Sequence, residues 1–129
     1  MVALTVDLTG SGMPVQQAAL LGESVVSGIT ALAGGGTGGT QLTGTINIVT
    51  VVATDADSVK LPLISTWQNS QMIIVQNRDA AQACAVFPAT ANTINAGTAT
   101  TGSVSIAAVS TRVFYRVSNT DWASWVAAQ

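Results

Sequence analysis

The side chains with the greatest potential for chemistry in this sequence are its carboxylates. Asp55 and Asp57 are the most closely spaced acids, and carboxylates at alternate positions can lie on one side of a loop around Ca²⁺. Asp79 and Asp121 are a second candidate pair, of the kind that flanks a glycosidic bond in glycoside hydrolases. Neither pair has a further acid beside it, and all four residues lie in turn contexts. We therefore expect these aspartates to form turns, not a catalytic or metal site.

Two other reactive residue types are almost missing. The chain contains no histidine, which removes the usual general base, the Ser-His and Cys-His nucleophilic pairs and most zinc sites. Its single cysteine, Cys84, is flanked by alanines in a strand-like run, so we expect a small buried apolar residue, with a reactive thiol as the alternative. The sequence thus predicts a protein that is not an enzyme, with no catalytic residue, no metal and no cofactor.

Charge is scarce in this chain. Only 8% of its 129 residues are charged, against about a quarter in ordinary soluble domains. The surface must then consist largely of Thr, Ser, Asn, Gln, Gly and Ala, which indicates that copies of the chain or a partner cover much of it. The only bases, Lys60, Arg78, Arg112 and Arg116, are too few to neutralise many phosphates, so we expect no nucleic-acid partner.

The sequence also lacks the signals of secretion and membrane insertion. Its N-terminus has neither the basic start nor the long apolar run of a signal peptide. No window approaches the roughly 20 uninterrupted apolar residues of a membrane span. We therefore expect synthesis in a cytosol and no membrane partner.

Residues 1–33 are predicted to form an N-terminal arm. Apolar and polar residues alternate over 2–8 and place Leu4, Val6 and Leu8 on one face, as in a short strand or an extended arm.

The rest of this arm and the segment after it contain many glycines. The apolar residues of 13–33 fall loosely on a helical spacing, but Gly22 and Gly28 interrupt it. At most a short helix is expected there, with an extended arm as the alternative. Five of the six residues at 34–39 are glycine, which predicts a flexible hinge at 34–40. A nucleotide-binding loop would need a lysine after these glycines, and none follows.

Residues 41–129 are predicted to form an antiparallel β domain. Short runs rich in Val, Ile, Phe, Tyr and Thr are separated by Asn, Asp and Gly, as strands and tight turns require. Such runs lie at 42–54, 59–63, 72–75, 85–88, 103–106, 112–117 and 122–126. This all-β pattern, with roughly seven to nine short strands, favours a β-sandwich or jelly-roll-like domain.

The aromatic residues allow two interpretations. Trp122 and Trp125 fall on opposite faces of the last predicted strand. Together with Trp67 and Tyr115 they could form a platform on which sugars stack. The preferred interpretation is that Trp122 and Trp125 close the hydrophobic core or a subunit interface.

Two arginines lie four residues apart in one predicted strand. Arg112 and Arg116 therefore point to the same face, where acids from a neighbouring strand or subunit could pair with them.

A series of short motifs over residues 45–126 resembles virion proteins of tailed phages, a group that includes capsid decoration (cement) proteins, head fibres and tail-fibre modules. The motifs are a strand ending in Leu-Pro at 59–62, a strand ending in Asn at 73–77, Ala-Val-Phe-Pro-Ala at 85–89, Asn-Thr-Ile-Asn at 92–95, and a closing strand at 102–106. The Gly-Gly-Thr-Gly segment near residue 36 is similar to segments of such fibres. The chain departs from them in lacking a long repetitive shaft and in having Trp67 where a Gly-rich turn is expected.

The resemblance implies a capsid decoration protein that cements the shell exterior of a virion as a homotrimer at threefold or quasi-threefold positions. The expected partners are the major capsid protein and other copies of this chain. The alternative is a receptor- or glycan-binding module of a phage fibre or tail. Expected capsid or subunit contacts are Leu4, Val6, Leu8, Val15, Leu20, Leu21, Arg112, Arg116, Trp122 and Trp125.

Overall fold

A computed structural model describes residues 24–67 and 71–127 of the chain, and these residues are mostly β. The strands are β1 (Val25–Thr30), β2 (Thr40–Gln41), β3 (Ile46–Val51), β4 (Ser58–Lys60), β5 (Met72–Asn77), β6 (Cys84–Phe87), β7 (Thr93–Ile94), β8 (Val104–Ile106), β9 (Ser110–Arg116) and β10 (Asp121–Val126). The helical elements are α1 (Gly35–Gly38) and a 3₁₀ helix (Ile64–Thr66).

The strands form two mixed sheets. One has six strands in the order β1-β3-β5-β9-β10-β7, and the other has four in the order β2-β4-β6-β8. Up to β6 the chain passes alternately from one sheet to the other, so that β1, β3 and β5 are parallel neighbours, as are β2, β4 and β6. Parallel neighbours need a long crossover connection. Here each crossover contains a strand of the opposite sheet.

The predicted antiparallel arrangement is therefore correct for only part of the fold. It holds for β5 with β9, for β9 with β10 and for β6 with β8. It is wrong for the first half of the domain, where the pairings are parallel. Turn residues such as those at 55–58 indicate a change of direction, but they do not show that the next strand pairs with the previous one.

Both sheets contribute to one hydrophobic core. Its fully buried members include Val49, Ile73 and Phe114 from the six-stranded sheet and Val59 and Val86 from the four-stranded sheet. Branched and aromatic side chains alternate with less buried ones along these strands, which is the pattern expected of strands with one core-facing side.

The predicted N-terminal arm needs correction at its C-terminal end. Residues 25–30 were expected to lie outside the β domain, but they form β1, which pairs in parallel with β3 at the edge of the larger sheet. Ile29 of this strand is buried in the core. Gly28, one of the two glycines that suggested an interrupted helix, lies at an irregularity of the pairing, with a φ of 74°. The other, Gly22, lies outside the described residues.

The predicted flexible hinge at 34–40 is also wrong. Residues 35–38 form α1, and two of its glycines, Gly36 and Gly38, lie too close to neighbouring backbone for any side chain. A Cβ at Gly36 would lie 2.6 Å from the carbonyl oxygen of Thr100, and one at Gly38 would lie 2.5 Å from that of Ala33. Glycine is therefore required here by close packing, which sequence composition alone does not distinguish from flexibility.

Buried asparagines hold the ends of the strands. Asn47 donates to the carbonyl oxygen of Gly44 at 2.8 Å and accepts from its N–H, which fixes the turn before β3. Asn77, at the end of β5, donates to the carbonyl oxygens of Gln82 and Ile106 at 2.8 and 3.2 Å. Because both side chains are fully buried and satisfied, they fix the register of the strands.

Among the described residues, no helix has the length and apolar character needed to cross a membrane.

A candidate interaction face on the six-stranded sheet

The two faces of the six-stranded sheet differ in burial. Along β5, Ile73 and Val75 are fully buried, whereas Met72 is 48% exposed and Ile74 is half-buried. Ile73 pairs with Phe114 of β9, which is also fully buried, so this side of the sheet faces the core. The opposite side, carrying Met72 and Ile74, is the outer face.

A continuous apolar row crosses the outer face. Strand pairing places Val25 beside Ile46, Ile46 beside Ile74, Ile74 beside Val113, and Val113 beside Trp125. The row thus runs through five strands, from β1 to β10, without a polar residue. The two ends are the most exposed, Val25 at 57% and Trp125 at 43%. Side chains that are directly opposite one another on neighbouring strands are in contact distance.

Shorter rows flank this central row on both sides. On one side Met72 pairs with Tyr115, and Tyr115 pairs with Ala123. On the other side the pairing joins Ile48 to Gln76 and Gln76 to Thr111. The central row and these two shorter rows together make up the outer face.

An aromatic pair covers one end of the outer face. The rings of Tyr115 and Trp125 are tilted by 54° with centroids 5.0 Å apart. Val113, which pairs with Trp125 and lies two residues before Tyr115 on the same strand, is only 8% exposed although it does not belong to the core cluster. Its own neighbours on the outer face therefore bury it, which shows that these side chains form a packed surface.

The outer face carries no charge in its three rows. Asp121 follows the same alternation at the start of β10, and lies beyond the last row. Its carboxylate accepts hydrogen bonds from the hydroxyl of Thr93 and from the N–H of Ala96. This acid is therefore used to join β7 to β10.

The predicted arginine pair lies on the opposite side. Arg112 and Arg116 share the face of Phe114, which confirms that they point the same way. Arg112 donates to the hydroxyl of Ser124 at 3.2 Å, and Arg116 donates to the carbonyl oxygen of Trp67. Arg116 also binds the carbonyl oxygen of Ser118 and the amide oxygen of Asn119. These acceptors are neutral and lie within the chain, so the hydrogen bonds join loops to strands.

The two tryptophans of β10 have different environments, and the prediction that they lie on opposite faces is confirmed. Trp122 is fully buried in the core and meets Trp67 edge-on at 6.4 Å between ring centroids. Trp125 lies on the outer face. Of the four predicted contact residues within the described part of the chain, only Trp125 is on this face.

The other predicted contacts lie outside the described residues. They are Leu4, Val6, Leu8, Val15, Leu20 and Leu21.

Sequence analysis missed most of the outer face, namely Val25, Ile46, Ile74, Val113 and Met72. The sequence nevertheless contains a pattern that indicates a second apolar face. The runs at 46–52 and 72–75 are apolar at nearly every position, and strands apolar on both sides are typical of sheets covered on both faces.

The candidate metal-binding residues Asp55 and Asp57 have structural partners. Asp57 accepts hydrogen bonds from the nearby N–H groups of Ala53 and Thr54, and Asp55 accepts one from the N–H of Ala83 in a distant part of the chain. Asp55 itself lies in a turn, and the contacts of Asp57 agree with the expectation that it forms one.

Asp79 and Cys84 have shifted pKa values with clear causes. The carboxylate of Asp79 accepts hydrogen bonds from the N–H groups of Ala81, Gln82 and Val52, which lower its pKa. Burial raises the pKa of the Cys84 thiol to about 11, so the thiol is protonated at neutral pH. The expectation that Cys84 is a buried apolar residue is confirmed.

Comparison of the chain with protein-family models, with curated proteins and with solved structures found no match in any of the three.

Proposed function

We propose that this protein is a structural virion protein of a tailed phage, which decorates the exterior of the capsid and stabilises it as a homotrimer. The observation that carries the proposal is the outer face, an uncharged apolar surface five strands wide on a chain with very few charges. Such a surface is typical of a protein that works inside an assembly. The motifs at 59–106 are the basis for assigning that assembly to a phage particle.

The fold supports a static role. The two sheets share one core, and we propose that they pack as a sandwich, with a jelly-roll connection as a finer alternative. Buried asparagines and carboxylates accept and donate hydrogen bonds within the chain, so that the polar groups are used to fix loops. This use of polar groups is what a cementing protein needs, because its contribution to the shell depends on a rigid shape.

The N-terminal segment supplies the second proposed contact. We place Leu4, Val6, Leu8, Val15, Leu20 and Leu21 against the shell or a neighbouring subunit. The truncation that tests this contact removes residues 1–23 and keeps β1, because β1 belongs to the sheet. We expect the truncated protein to stay folded and to lose binding to purified capsids, measured by co-sedimentation. Undiminished binding would contradict the proposed contact.

The experiment that tests the proposed function compares particles with and without the protein. Particles that carry it are expected to contain many copies and to survive higher temperature or lower salt than particles from which it is absent. Few copies per particle and equal resistance would contradict a cementing role.

One observation favours a second function, a glycan-binding module of a fibre or tail. The half-buried Tyr115 and the exposed Trp125 form an aromatic pair, and sugars stack on such rings. This function predicts glycan affinity that Trp125→Ala abolishes, measured on a glycan array and by calorimetry. Absence of binding to any glycan would eliminate it.

A further inference from the structure

We propose that the outer face is the surface through which copies of this chain pack against one another. The inference rests on the homotrimer of the proposed function and names its interface. The central row from Val25 to Trp125 lies at the middle of that interface, with Met72 and Tyr115 beside it.

The absence of charge from the outer face favours a second copy of this chain as the partner. A charged surface that packed onto the outer face would lose its water and find no opposite charge there, which is strongly unfavourable. A second copy brings the same uncharged rows to the contact, so neither subunit buries an unpaired charge. Among the described residues, the acid on this side is Asp121, which lies beyond the last row and accepts hydrogen bonds from Thr93 and Ala96.

The shape of the face suits packing against another sheet. Sheets stack about 10 Å apart when the side chains of two apolar faces interdigitate. The outer face already presents aliphatic side chains at adjacent strands and an aromatic pair at one end. In a threefold assembly, the outer faces of three subunits would meet around the axis, and each face would contact both neighbours.

The area of the outer face determines how strongly the subunits are expected to associate. Five strands at about 4.8 Å and five residues at about 3.4 Å give a flat footprint of about 400 Å² per subunit. In the trimer three such footprints sum to about 1,200 Å², or about 400 Å² for each pair of subunits, which is smaller than most specific interfaces. Association through this face is therefore expected to depend on protein concentration, and the mass must be measured over a concentration series.

The test uses two positions of equal exposure. Met72 and Leu63 are both 48% exposed, but Met72 is on the outer face whereas Leu63 lies in the connection between β4 and β5. Full-length wild type, Met72→Glu and Leu63→Glu are compared by light scattering behind a sizing column. Wild type and Leu63→Glu are expected to reach about three times the chain mass of 13.0 kDa as concentration rises, and Met72→Glu to stay at one chain mass.

A second measurement does not depend on a destabilising charge. The thiols introduced by Met72→Cys and Leu63→Cys are alkylated at low and high protein concentration. The Met72→Cys thiol is expected to react about tenfold more slowly once about nine-tenths of the chains are assembled, and the Leu63→Cys thiol at an unchanged rate. The native Cys84 adds no background because it is buried.

The outcomes separate this inference from the proposed function. A wild type that stays at one chain mass at every concentration, with no protection of the Met72→Cys thiol, overturns the interface even if the protein binds capsids. An assembly that Met72→Glu does not disrupt overturns it as well. A wild-type trimer that Met72→Glu dissociates supports the interface, whether or not capsid binding is found.

Discussion

Ile74 of β5 and Val113 of β9 lie directly opposite one another on the side of the sheet that faces away from the core. Their neighbours in the same row are Ile46 and Trp125. The same two strands place Ile73 opposite Phe114 on the core side. This part of the sheet is therefore apolar on both faces, although only one of them is covered within the described chain.

The two tryptophans of β10 provide a matched test of the core. Trp122→Ala is expected to lower the free energy of unfolding by about 3–5 kcal/mol, because it empties a fully buried site. Trp125→Ala is expected to lower it by only about 1 kcal/mol, through loss of the contact with Tyr115. Urea denaturation at low protein concentration measures both. Equal effects would contradict the assignment of Trp122 to the core and Trp125 to the outer face.

Asn77 is expected to be the most sensitive polar position. Asn77→Ala removes the donor to the carbonyl oxygens of Gln82 and Ile106 and the acceptor for the N–H of Asp79. Since buried polar groups lose their partners, the free energy of unfolding should fall by at least about 2 kcal/mol. The control is Asn119→Ala, which removes only an exposed acceptor for Arg116 and should change it by about 1 kcal/mol or less. A neutral Asn77→Ala variant would show that water replaces these hydrogen bonds.

The lowered pKa of Asp79 predicts that the folded protein loses stability in acid. Its pKa is lowered in the folded state by N–H donors from Ala81, Gln82 and Val52. A lowered folded-state pKa means that the carboxylate stabilises the protein above its unfolded pKa, and that this stabilisation is lost as pH falls through the folded pKa. Asp79→Asn should therefore be less stable than wild type near about pH 7, and the difference should shrink near about pH 3.

Denaturant unfolding of wild type and Asp79→Asn at several pH values checks this dependence. A stability difference between the two proteins that is the same at neutral and acidic pH would show that Asp79 does not titrate with folding.

The thiol of Cys84 is expected not to react with thiol reagents in the folded protein. Burial raises its pKa to about 11, and only the thiolate is strongly nucleophilic. A colorimetric thiol assay at neutral pH should detect no reaction until denaturant is added, and then one thiol per chain. Rapid reaction without denaturant would contradict the burial of Cys84 and restore the alternative of a reactive thiol.

Much of the local structure was predictable. The runs at 72–75 and 85–88 correctly indicated strands, and the spacing of Trp122 and Trp125 correctly indicated opposite faces. These features depend on the side-chain period of a strand, which a sequence displays directly. The turn role of Asp57 was predictable for a similar reason, since its carboxylate accepts hydrogen bonds from backbone N–H groups a few residues away.

The candidate site was much less predictable. The row from Val25 to Trp125 requires the order β1-β3-β5-β9-β10, and three of its four pairings join residues more than 20 positions apart. Periodicity records which face a residue occupies on its own strand, but it contains no information on which strand lies next to it. The close packing of the glycines in α1 was unpredictable for a related reason. The carbonyl oxygen that excludes a side chain at Gly36 belongs to Thr100, in a distant loop.

The sequence by itself determined that this protein is rich in strands, almost uncharged, free of histidine and provided with a single cysteine. Those properties follow from residue types and from periods of a few residues. Only the tertiary structure decided that β1, β3 and β5 run parallel, that residues 25–30 belong to the sheet, and that one side of that sheet is a continuous apolar surface. The physical reason is that strand pairing depends on the free energy gained when side chains far apart in the chain are buried together. That free energy is a property of the complete fold and cannot be read from a short stretch of sequence.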